Sequence, residues 1–146
     1  MTNALRVTYR FWLSVLVVAV IVQIGAAGYG AFNAAHDVSD TTPLTNHQWD
    51  HGWNFHDGFG YLIFLVSVPL FLIAWGAKLG KRTVLLALGV PILVAIQIAL
   101  AAGGESVPAV GILHPINAFI ILGFVGSLAG KAWRTRHAAE AVQAAA

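Results

Sequence analysis

No cysteine occurs among the 146 residues. That excludes disulfides, thiolate-bound zinc and cysteine-held iron–sulfur clusters, and leaves histidine as the main metal ligand on offer. Charge is nearly as scarce. Only 10% of the residues are Asp, Glu, Lys or Arg, while 58% are hydrophobic and the mean hydropathy is +0.76. An ordinary soluble domain carries about 25% charged residues, so this chain reads as a membrane protein of one domain. The isoelectric point near 9.3 does not point to nucleic acid, because the net charge is only +2 and the basic residues are scattered between apolar runs. Also missing are a GxSxG elbow, an HExxH pair, a phosphate loop and paired intramembrane carboxylates, so the familiar hydrolytic, phosphoryl-transfer and proton-relay constellations drop out.

What remains is four long apolar stretches, 11–32, 58–77, 83–104 and 109–130, each of the length that a bilayer core about 30 Å thick requires. The first ends in "GAAGYGAF" and suits a retained helix better than a cleaved leader. The fold class expected is all-α, an integral membrane four-helix bundle running up-down-up-down, with residues 33–55 as an outer loop and 131–146 as a tail. Arg6, Arg10, Lys78, Lys81, Arg82, Lys131, Arg134 and Arg136 all fall on one side of these spans. Asp37, Asp40, Asp50, Asp57 and Glu105 fall on the other. Basic residues stay inside, so both termini are expected in the cytoplasm. Trp12, Trp75 and Trp133 mark the inner span ends as interfacial anchors, and Trp49 and Trp53 mark the outer side.

The chain also repeats itself. "VQIGAAG" at 22–28 pairs with "IQIALAAGG" at 96–104, and "HDGFGYLIFL" at 56–65 with "HPINAFIILG" at 114–123. Two hairpins of the same topology are implied, related by an axis along the membrane normal. In an up-down bundle the second and fourth spans are parallel and diagonal. Asp57 and Pro115 both suit a first helical turn, so His56 and His114 are expected at helix starts, at one depth, facing across the axis. Adjacent axes about 8–10 Å apart make that diagonal roughly 11–14 Å, too long for direct contact between imidazoles.

A haem b, held from its two faces, fits such a gap. Gly60 and Ala118, one turn further on, leave room for a flat macrocycle, and Phe59, Tyr61, Ile63, Phe119 and Ile121 are expected to wall it. Gln23, Gln97 and Asn117 are expected either to touch the cofactor or to bond between helices, as is Ser67. The plainer alternative makes both histidines interfacial caps. In the stretch "HQWDHGWNFHDGFGYLIFL", His47 and His51 stand four apart beside Asp50 and offer two nitrogens of a second metal site without an evident third ligand. A loop 33–55 folded over the bundle end as a shield is the expectation preferred there, with His36 and His137 solvated.

With Gln in the first span, "HDGFGYLIF" opening the second and "LHPINAFIILG" opening the fourth, the chain resembles a family of small, functionally uncharacterised bacterial four-helix membrane proteins. More distantly it is similar to one four-helix half of haem A synthase. That resemblance implies His56 and His114 as the axial ligands of a haem iron. It departs where the enzyme has an acidic residue upstream of the second-span histidine, since Gly52 to Phe55 hold none, and where an Arg follows that histidine, since Asp57 stands there. The function expected is one-electron transfer by a b-type cytochrome, alone or as a small subunit of a larger redox complex, with quinone or other subunits as partners and a homo-oligomer as an option. No stand-alone enzyme activity is assigned. The alternatives are a non-redox assembly subunit and a (bacterio)chlorophyll-binding subunit with one pigment on each histidine.

Overall fold

The computed structural model describes residues 2–38 and 42–145, the side chains of 138–143 excepted, so Asp40 of the outer acidic set lies outside the described residues. The protein is all-α. Helix α1 covers Thr2–Asp37, α2 Asn46–Ser67, α3 Pro69–Gly76, α4 Lys81–Ser106, α5 Pro108–Gly111 and α6 Leu113–Ala144. Helices α2 and α3 are one span broken at Pro69, which has no N–H to give to the turn before it. Around that break the Trp12 indole donates to the Val66 carbonyl at 2.7 Å, and Ser67 Oγ donates to the Phe64 carbonyl at 2.7 Å. Four spans result, each long and apolar enough to cross a bilayer, and the chain is a multi-pass membrane protein.

Large apolar side chains such as Phe11, Val15, Ile21, Leu65 and Phe119 face outward, as lipid contact requires. The packed core holds Leu13, Leu16, Leu70, Ala74, Ala87, Val90 and Val125. Sequence neighbours pack side by side, α1 also packs on α6, and the pairs α1–α4 and α2–α6 face each other diagonally without backbone contact among the described residues. The second and fourth spans are therefore parallel and diagonal, as expected.

The outer connection is much shorter than expected. Residues 33–55 are not a loop: α1 continues to Asp37 and α2 begins at Asn46. A reciprocal cap starts α2, with Thr45 Oγ1 accepting from Gln48 N at 3.3 Å and Gln48 Oε1 accepting from Thr45 N at 3.0 Å. Trp49, Trp53, His47 and His51 are consequently helical, and among the described residues there is no long shield. Asp57 lies well inside α2 rather than in a first turn. At the opposite end Lys78 (φ 55°) and Gly80 (φ 86°) make the tight turn between α3 and α4, and Arg6 Nε donates to the Ala77 carbonyl at 3.3 Å.

Helices α4 and α5 meet through backbone at Gly104 and Gly111. A Cβ on Gly104 would stand 2.8 Å from Gly111 Cα, whereas one on Gly28 meets nothing within 4 Å. Opposite effects are expected. Gly104→Ala should lower stability by about 1–3 kcal/mol, as overpacking does, and Gly28→Ala should raise it by about 0.5–1 kcal/mol. Denaturant unfolding in detergent measures both, and a neutral Gly104→Ala would contradict the close approach.

Candidate functional site

The basic half of the bundle is filled by the core, and the acidic half holds a cavity of about 330 Å³ lined by all four spans. That volume lies at the lower end of the range for small-molecule sites. Its wall includes Gln23 and Ala27 from α1, His56, Gly60 and Tyr61 from α2, Gln97, Ala101 and Glu105 from α4, and His114, Ala118 and Phe119 from α6. Ile63 and Ile121 close its inner end, where the core begins.

The two histidines are held in the same way. His56 Nδ1 is 3.1 Å from the backbone oxygen of Gln23, and His114 Nδ1 is 3.0 Å from that of Gln97. A carbonyl oxygen can only accept, so each Nδ1 carries a proton, and in the neutral imidazole each Nε2 keeps its lone pair. This is the arrangement by which proteins orient metal-ligating imidazoles. His56 is well inside α2, and His114, at the start of α6, spends its N–H on another span.

Across the cavity the two rings stand with centroids 6.1 Å apart and planes inclined at 59°. Two imidazoles ligating one ion from opposite sides, each nitrogen about 2.0–2.1 Å from the metal, carry their centroids about 6 Å apart. The donor set and the spacing fit a single shared metal centre. Two macrocycles, one on each histidine and in contact with each other, would hold the rings about 10 Å apart.

The glutamines bond between helices, but not alike. Gln23 Nε2 donates to the His56 carbonyl at 2.7 Å, leaving its Oε1 buried without a partner. Gln97 Oε1 instead accepts from Asn117 Nδ2 at 2.8 Å, and Asn117 also donates to the Leu93 carbonyl at 3.1 Å. Asn117 is buried behind Gln97 and does not line the cavity, so of its two expected roles it takes the interhelical bond. Phe59 is likewise no wall: it stacks on Phe55 at 5.1 Å, outside the lining. Gly60 and Ala118 do line it, and Gly60 has a second reason to be small, because a Cβ there would stand 3.0 Å from Gln23 Nε2.

Other expected groups lie elsewhere. His36 is exposed beside Asp37 at 3.0 Å, and His137 stacks on Trp133. Among the described residues no group of three or more His, Cys, Asp or Glu is placed to hold a metal, at His47, His51 and Asp50 or elsewhere. Trp133 does more than anchor. Its indole donates to Ser14 Oγ at 3.1 Å, and the Arg10 and Arg136 guanidinium groups lie over its ring. The chain matches no protein-family model, no curated protein and no solved structure.

The unequal glutamines make a testable difference. Asn117→Leu removes two bonds and orphans Gln97 Oε1, and should cost about 1–2 kcal/mol. Gln23→Leu should cost only about 0.6 kcal/mol, the average for an interhelical bond in a membrane. Unfolding in detergent gives the order, and equal losses would mean that Asn117 is no strut.

Proposed function

We propose that this protein binds one haem b between His56 and His114 and serves as a one-electron carrier in the bacterial inner membrane, by itself or as a small subunit of a redox complex. The observation that carries the reading is the matched pair of imidazoles, each with Nδ1 committed to a backbone carbonyl and Nε2 free, at the spacing of two ligands on one metal. His56 and His114 would hold the iron, Gly60 and Ala118 would leave room for the macrocycle, and Tyr61, Ile63, Phe119 and Ile121 would line it. Bound haem supplies an iron that gains and loses one electron. The chain's own residues fix the imidazole planes and surround the centre with apolar wall. With His56 and His114 both bound to it, the iron would favour electron transfer over oxygen chemistry. The 6.1 Å spacing weighs against a chlorin on each histidine, and the buried Nδ1 bonds weigh against an assembly subunit whose histidines are mere caps.

The purified, haem-loaded protein should show a low-spin spectrum with sharp reduced b-type bands. His56→Ala or His114→Ala should leave five-coordinate high-spin haem or none, while His36→Ala, His47→Ala and His51→Ala leave the bands in place. Retention of the low-spin spectrum in His114→Ala would refute the assignment.

The proposed orientation puts the basic end and both termini in the cytoplasm. Because the chain has no cysteine, single substitutions report it cleanly. In intact cells an impermeant thiol reagent should label Ser106→Cys and spare Asn3→Cys, and the reverse pattern would invert the protein.

A further inference from the structure

Two indoles stand between His56 and the outer surface. Trp53 meets the His56 ring edge-on, with centroids 5.5 Å apart and planes at 89°, and Trp49 stacks on Trp53 at 5.4 Å and 29°. Residues 49, 53 and 56 are spaced four and three apart, so they share one face of α2. Trp49 is half exposed, with 50% of its surface open. The row of rings therefore runs without a gap from the cavity to the outside.

The fold gives up something to hold Trp53 there. Its indole N–H is buried with no acceptor in the protein, so hydrogen bonding does not explain its position. Its ring lies against Gly30 of α1, where a Cβ would come within 2.7 Å of it, and Gly52 lets the same two helices close beside it. The adjoining end of the molecule carries charge of one sign. Asp37, Asp50, Asp57 and Glu105 lie there, and all the Lys and Arg lie at or beyond the opposite span ends.

We propose that Trp53 and Trp49 are the electron route between the His56–His114 centre and the outer surface, and that the carrier docking there is a soluble, positively charged one-electron protein. The proposal rests on the haem reading above. Electronic coupling decays steeply across empty space and less steeply through rings in contact, so the stacked path is the favoured exit. With haem bound, one electron would pass from iron(II) to the oxidised carrier, leaving iron(III) and a reduced carrier, and no bond would form or break. The indoles remain in their ground state as the medium. The acidic end steers a cationic carrier toward Trp49 and speeds encounter at low salt.

The test uses the full-length, haem-loaded protein in neutral detergent, reduced and then mixed rapidly with one of two small oxidants. One is cationic tris(phenanthroline)cobalt(III), the other anionic ferricyanide. Oxidation by the cobalt complex should slow as salt is added and oxidation by ferricyanide should accelerate, with Asp50→Asn plus Glu105→Gln flattening both trends. Trp53→Leu should slow both oxidants several-fold with the spectrum and midpoint potential unmoved, and Trp53→Phe should restore most of the rate. If Trp53→Leu disturbs the spectrum, half-exposed Trp49→Leu carries the same expectation. Unchanged rates in leucine variants with normal spectra would overturn the route, and like salt trends for the two oxidants would overturn the cationic partner. A wild-type protein without visible absorbance would remove the haem reading, and the route with it.

Discussion

Each half of this bundle is organised by one hydrogen bond, from a histidine Nδ1 to the backbone oxygen of a glutamine on the neighbouring span. In a membrane interior an imidazole left free would have to find a polar partner or lose its place. Committing one nitrogen to a carbonyl fixes tautomer, ring plane and direction together. The opposite nitrogen then has nothing to do inside its own helix and is available to the cavity. The cavity in turn depends on the four spans being arranged as a square, because only diagonal spans leave enough room for their side chains to face each other without touching.

The acidic and basic halves divide the labour of the fold. Toward the Lys and Arg end, small and aliphatic residues such as Ala74, Ala87, Leu13 and Val125 pack into the core, and Trp12 and Trp133 add bonds between spans. That solid half lets the other half stay open. A bundle hollow along its whole length would lose the packing that replaces the hydrophobic effect in lipid.

Much of this was legible in the chain. Hydropathy located four spans, the placement of Lys and Arg put the loops on two sides, and the repeated Gln and His singled out His56 and His114 as equivalent residues. The helix limits were less legible, because α1 and α2 run past the apolar stretches into polar sequence that hydropathy leaves as loop. The signal was present in "TNHQ", where Thr45 and Gln48 have the spacing of a reciprocal cap. The use of glutamine main-chain oxygen was hidden, since every residue has a carbonyl and side-chain chemistry does not reveal which one a histidine will reach. Where Asn117 and Phe59 point was hidden for a related reason. They occupy equivalent places in the repeat, and position alone does not separate facing the cavity from standing behind its wall.

That last pair makes the two sides of the cavity unequal. In the second hairpin Asn117 clamps the amide of Gln97, while in the first the matching position is Phe59 and the Gln23 oxygen goes unanswered. The repeat thus matches the two histidines but not their surroundings. A flat guest with unlike edges, turned over in place, would exchange a rigid neighbour for one with a spare acceptor, and the two orientations would differ in energy. The repeat matches the two histidines and their hydrogen bonds, and the change from Phe59 to Asn117 gives the chamber unlike sides.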